Sequence, residues 1–139
     1  LDAVGEVNFG QWQGRALKDL EKEDLWRVVQ AYPSVVCFPG GESFLAAQAR
    51  AVYSVEMIAA TLQPEQAAIV VSHSDIIKAI VAYYAGMHLD QFQRLVVNPA
   101  SITIIGLTPF RPAILRLNDD SHLPEPEPAP QESPATTEA

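Results

Sequence analysis

The sequence predicts an α/β layer fold, and three observations carry that expectation. An apolar run, Ala67-Ala68-Ile69-Val70-Val71, reads as a buried strand and passes directly into an amphipathic stretch from Asp75 to Ala85. A β-branched run, Ile102-Thr103-Ile104-Ile105, lies further on within Ser101 to Leu107, with Ala113 to Leu117 as another strand beyond a turn bracketed by Pro109 and Pro112. The segments before these runs carry apolar residues at helical spacing, so the order reads loop, helix, loop, helix, strand, helix, helix, strand, strand.

Each element has a local cause. Leu1 to Gly14 reads as the end of a strand followed by a glycine-punctuated loop. Arg15 to Ala31 is helical in character, with Leu17, Leu20, Leu25, Val28 and Val29 set among charged residues. Pro33, Pro39 and the pair Gly40-Gly41 force a loop from Tyr32 to Gly41. From Glu42 to Leu62 the residues Phe44, Ala47, Ala51, Val52, Val55, Ile58 and Leu62 form one apolar stripe, and Ser43 or Glu42 is suited to capping its start. Gln63-Pro64-Glu65 closes that helix, Gly86 stops the one that begins at Asp75, and a short helix is expected over Leu89 to Leu95.

Length and apolar content fit one domain able to bury a core, assigned here to residues 1–118. The net charge of −8 is unevenly placed, since residues 119–139 carry six acidic and no basic side chains. The remainder is near neutral and lacks the basic stripe that nucleic acid requires, and the acidic end discourages anionic lipid. Five prolines lie between Pro124 and Pro134 with no large apolar side chain among them, so residues 119–139 read as a disordered acidic, proline-rich tail. Cys37 is the only cysteine, which excludes an intrachain disulfide and a cysteine-based zinc cluster and fits a reducing cytoplasm. No apolar run approaches the roughly 20 residues of a membrane span.

The chemistry centres on Ser72-His73-Ser74, where a strand hands over to a helix. A ring at the carboxyl end of a strand faces the crevice above the sheet. The N–H groups of Ser74, Asp75 and Ile76 point the same way, with the positive end of the helix dipole behind them, an arrangement suited to an anion. Taken alone, the pattern equally suits a histidine that caps a helix or fills a gap. Glu6 alone reads as a solvated loop acid, Arg50 as a solvated surface residue that is also within reach of an anion, and Phe9 and Trp12 as packing residues.

Three segments in chain order change the weight of these readings: Gly5-Glu6-Val7-Asn8-Phe9-Gly10-Gln11-Trp12-Gln13-Gly14, then Pro39-Gly40-Gly41-Glu42-Ser43, then Ser72-His73-Ser74. Together they resemble the later two thirds of the histidine phosphatase superfamily, the phosphoglycerate mutase-like phosphatases and mutases. The resemblance spans Leu1 to Leu117 and implies a three-layer α/β/α fold with a mostly parallel mixed sheet, here N-terminally incomplete. It implies Glu6 as general acid toward the leaving alcohol and then base toward water. It implies His73 as an N–H donor to the phosphoryl oxygens, and the Ser74 backbone N–H as a substrate-binding group. The tract Ile76 to Ala82 looks like the phosphatase-type members.

In that family the nucleophile lies in an Arg-His-Gly motif after the first strand, and no Arg-His-Gly occurs among these 139 residues. The implied activity is a metal-independent, cofactor-free phosphomonoesterase that acts on a small phosphorylated substrate through a phosphohistidine in the intact protein, this chain alone being inactive. The implied missing strand lies between Ala67–Ser72 and Ser101–Leu107, so its absence exposes strand edges through which copies self-associate. A second functional class is a non-catalytic phosphate-ligand binder or assembly module built on the same fold. The tail reading is checked by deletion: removal of the tail should leave the melting transition nearly unchanged, and a fall of several degrees would show that it packs.

Overall fold

A computed structural model describes residues 1–108 and 110–124; the greater part of the predicted tail, residues 125–139, and Pro109 lie outside the described residues. The chain begins with 3₁₀ turns at Asp2–Val4 and Gly10–Trp12, joined by a loop. The expected strand end before Gly14 is absent, because Gly5 N–H donates back to the Asp2 carbonyl at 3.0 Å and closes a turn instead. The expected helix from Arg15 to Ala31 is two helices, α1 (Leu17–Leu20) and α2 (Asp24–Ala31). They part at Glu23, whose backbone is extended and whose carboxylate takes the Arg15 guanidinium at 2.7 Å, while Leu20 and Val29 both reach the core.

α3 (Phe44–Ala59) is the longest helix. Ser43 caps it, its hydroxyl accepting from Ala46 N–H at 3.1 Å, as a short polar side chain does for an orphan donor of the first turn. α3 packs against α4 (Ser74–Tyr84). Ala47 and Ala51 on one helix and Ala79 and Ala82 on the other are buried, and Gln48 Nε2 donates to the Ala79 carbonyl at 2.8 Å across the interface. α4 ends where the sequence places its stop. Gly86 takes φ +65, and Met87 N–H reaches back to the Ala82 carbonyl at 2.8 Å, a glycine-dependent closure of the last turn. A 3₁₀ turn follows at Leu89–Arg94.

β1 (Ile102–Leu107) and β2 (Pro112–Asp119) form an antiparallel ladder in which Ile105 faces Ile114 and Leu107 faces Pro112, with two register shifts between Ile102 and Ile105. β2 runs one residue past the predicted domain end at Asn118, so a deletion that tests the tail should spare residues up to Pro124. The apolar run 67–71 departs most from expectation. It does not join a ladder among the described residues, and Ile69 and Val71 are 94% and 87% exposed rather than buried. A strand needs a neighbour to pair its backbone groups, and none of the described segments supplies one here.

The core is threaded by aromatic rings. Phe38, fully buried in the Pro39 loop, meets Phe9, Trp12 and Phe44 at centroid distances of 5.0, 5.3 and 5.4 Å. Trp12 continues to Trp26 on α2, and Phe44 to Phe92 at 5.2 Å. Edge-to-face pairs of this kind add about 0.5–1.5 kcal/mol beyond the burial of their area. Phe9 and Trp12 are therefore packing residues, as the sequence suggests, and they fasten the loop that carries Glu6 to α2 and α3.

The same loop touches the Pro39 loop backbone to backbone. Gln11 N–H donates to the Pro39 carbonyl and Glu42 N–H to the Asn8 carbonyl, both at 2.9 Å. A Cβ on Gly41 would collide with the Asn8 carbonyl and lie 2.7 Å from Gly10 N. Gly14, by contrast, has open space around its absent Cβ but takes φ +76. Gly41→Ala should therefore lower unfolding free energy by about 2–3 kcal/mol in urea denaturation, and Gly14→Ala by only about 1 kcal/mol. Equal losses would show that the two loops part readily.

Candidate active site

Glu6 and His73 come from separate segments and meet. Glu6 lies in the loop after the first turn, where its Oε1 accepts Val7 N–H at 2.9 Å. Its Oε2 stands 3.8 Å from His73 Nδ1. The side chains are 38% and 55% exposed, so the pair opens to solvent. His73 is the residue before α4, with extended backbone (φ −108, ψ 157), and its carbonyl accepts Ile77 N–H at 2.9 Å. Its imidazole makes no capping hydrogen bond to α4, so the capping reading does not describe it.

Ser74 opens α4, where the first N–H groups have no partners within the helix. The helix dipole adds partial positive charge beside His73. The Ser74 hydroxyl donates to the Val97 carbonyl at 3.2 Å. Ser72 Oγ donates to the Val4 carbonyl at 2.6 Å. That bond ties the 67–72 segment, which joins no ladder among the described residues, to the start of the Glu6 loop, and it is one cause of the Glu6–His73 approach.

The sequence reading of Arg50 as a solvated surface residue is wrong. Arg50 Nε donates to Glu42 Oε2 at 2.9 Å and Nη2 to Glu42 Oε1 at 2.7 Å, a two-point pair whose side chains are only 26% and 19% exposed. Nη1 also donates to the carbonyls of Ala3 at 2.9 Å, Gly5 at 3.0 Å and Asp2 at 3.4 Å, and Nη2 to that of Glu6 at 3.0 Å. Glu42 is not a helix cap, since its Oε1 accepts Asn8 N–H at 2.8 Å as well. The Arg50 hydrogen bonds hold its carboxyl below the usual carboxylate range, against the opposing effect of burial, with help from Asn8 N–H and the guanidinium charge. The guanidinium is in turn held more firmly protonated, chiefly by the Glu42 hydrogen bonds, with smaller help from the charges of Glu42 and Glu6.

A groove of about 320 Å³ lies elsewhere, lined by Glu56, Ala59, Tyr84, Leu107 and Pro112. Tyr84, at the far end of α4, is about 16 Å from His73 by helix rise. Its hydroxyl is buried without a hydrogen-bond partner among the described residues, and desolvation first, then the nearby Glu56 and Tyr83, push it up to about 12. The groove's lining includes no histidine, whereas the Glu6–His73 pair sets a carboxylate beside an imidazole. Among the described residues no group of three or more His, Cys, Asp and Glu gathers as metal ligands would, and no helix is long and apolar enough to cross a membrane.

The sequence profile of the histidine phosphatase superfamily (branch 1) matches residues 1–120. Phosphoserine phosphatase 1 of Hydrogenobacter thermophilus is 32% identical over 127 residues, which cover 89% of this chain and 59% of that protein. Among solved structures, Bacillus stearothermophilus YhfR superposes with a TM-score of 0.73 at 22% identity, over 84% of this chain and 59% of that one. A mutant phosphoserine phosphatase from Entamoeba histolytica, in complex with phosphoserine, superposes at 0.76 and 16% identity, over 88% and 62%. These likenesses show an α/β fold of that type, and the chain spans about three fifths of the length of each relative.

The depressed Glu42 carboxyl carries a pH dependence. A carboxyl whose folded pKa lies below its unfolded one contributes stability that is fully present above the unfolded value and disappears as pH falls through the folded value. Wild type should therefore lose melting temperature more steeply than Glu42→Gln as pH falls through and below the ordinary carboxylate range. Parallel melting curves across that range would show that the Arg50–Glu42 pair contributes nothing to folding.

Proposed function

Because the chain belongs to the histidine phosphatase superfamily (branch 1), we propose that it is the larger part of a phosphomonoester hydrolase working through a phosphohistidine, the nucleophile being supplied by a segment outside these 139 residues. The observation that carries this reading is the approach of Glu6 Oε2 to His73 Nδ1 at 3.8 Å beside the amino end of α4. In the proposed reaction the upstream histidine attacks phosphorus and Glu6 protonates the departing alcohol. Glu6 then takes a proton from the water that cleaves the phosphohistidine. His73 and the Ser74 N–H donate to the phosphoryl oxygens as charge builds on them, which typically contributes about 3–4 kcal/mol per donor. No cofactor or metal enters these steps.

The exposed apolar residues Ile69 and Val71, in a run that joins no ladder among the described residues, support a slot for the completing strand between this run and β1. With that strand in place, the sheet becomes mostly parallel and the fold three-layered. Without it, copies of the chain associate through the open edges. The substrate class is a small phosphorylated metabolite; phosphoserine is the first compound to test, given the named activity of the relative from Hydrogenobacter thermophilus. The single cysteine fits work in a reducing cytoplasm. The 139-residue chain by itself is a phosphate-binding remnant of the site, which is where the non-catalytic reading applies.

The test supplies the purified chain, with and without a polypeptide carrying the Arg-His-Gly strand, with p-nitrophenyl phosphate and phosphoserine. The chain alone should hydrolyse neither faster than its His73→Ala variant. The complemented protein should turn over, with His73→Ala slower by roughly two to three orders of magnitude. Strong His73-dependent turnover from the chain alone, as a folded monomer, would sink the completing-segment reading. Complemented turnover indifferent to His73 would remove it from the mechanism.

A further inference from the structure

We propose that Arg50 is the positioning residue for Glu6: its guanidinium, clamped on the Glu42 carboxylate, grips the backbone on both sides of the acid and sets where the Glu6 carboxylate stands relative to His73. The inference rests on the reading of Glu6 and His73 as one site. Four carbonyls, those of Asp2, Ala3, Gly5 and Glu6, accept from the two terminal nitrogens of Arg50. Glu42 holds the other side of the guanidinium and also takes Asn8 N–H at 2.8 Å, so the loop is held before and after Glu6 by one hydrogen-bonded unit. Gly10 and Gly41 let the two loops approach closely enough for this, and Ser43 anchors the start of the helix that carries Arg50.

Arg50 makes no hydrogen bond or ion pair to His73 and none to the Glu6 carboxylate, so it acts through the backbone and not as a catalytic group. An arginine is required because only a planar fork with five donors serves a carboxylate on one side and several carbonyls on the other. A lysine ammonium retains the charge and the attraction to Glu42, yet has three donors radiating from one atom. Arg50→Lys therefore separates a role in placing Glu6 from a role as a plain ion pair.

The experiment uses the 139-residue protein with side-chain 13C-labelled glutamate, the Glu6 carboxyl signal being assigned through Glu6→Gln. His73→Ala should displace that signal in the wild-type background, reporting the contact between the two side chains. In Arg50→Lys most of this displacement should be lost. Glu42→Gln, which weakens the clamp and leaves the carbonyl contacts in reach, should lose part of it and gives the reading if Arg50→Lys does not fold. Val29→Ala, a core truncation away from the loop, should keep it despite its own fall in melting temperature. Full displacement in a folded Arg50→Lys or Glu42→Gln protein would overturn the role of Arg50 and leave the Glu6–His73 site intact. No displacement by His73→Ala in the wild-type background would overturn the shared site, and the positioning role with it.

Discussion

A guanidinium partly withdrawn from water must find acceptors for its five N–H groups, and Arg50 finds them in the Glu42 carboxylate and in four carbonyls between Asp2 and Glu6. The carboxylate of Glu42 neutralises its charge, while the carbonyls of the 2–6 segment take the remaining donors. Withdrawing an ion pair even partly from water costs desolvation that offsets some of its attraction, so the value of this half-buried pair lies in the number of backbone groups it satisfies at once. The Asp2–Glu6 stretch has only one short turn of its own. Without the guanidinium, its carbonyls would have to turn to solvent and take the acid with them.

The aromatic chain works with this clamp. Phe38 is fully buried and touches Phe9, Trp12 and Phe44, so the loops that carry Glu6 and Glu42 rest on one set of rings. The Glu6 half of the site is thus supported by core packing, close glycine contacts and a charged hydrogen-bond network. The His73 half differs. α4 is well packed against α3, but the segment leading into it lacks ladder partners among the described residues and is linked to the Glu6 loop through Ser72 Oγ. The two halves therefore depend on unequal support, and the exposed Ile69 and Val71 mark where it is missing.

The superfamily profile covers residues 1–120, yet the chain spans about three fifths of the relatives it matches. A sheet strand is stabilised by neighbours that are distant in sequence. Helices and loops, whose hydrogen bonds are local, can therefore form where a strand-like run such as 67–71 joins no ladder among the described residues.

Most helices, caps and turns were legible in the sequence because their causes lie within a turn or two of chain, although the break between α1 and α2 was not. Ser43 at the start of α3, Gly86 at the end of α4 and the β-branched residues of β1 needed no distant partner. The motif order also singled out Glu6, His73 and Ser74, two of which the structure brings within 3.8 Å. Arg50 was not legible: its partners lie between Asp2 and Glu6 and at Glu42, and no spacing in the sequence marks that convergence. The run 67–71 was misread as buried for the same reason, since hydrophobic composition states what a segment prefers and not whether a neighbour is there to cover it. Sequence by itself determined the local elements and the chemical types at the site. Which charge clasps which loop, and which strand finds a partner, were decided by tertiary structure, because both depend on groups brought together only when separate segments pack.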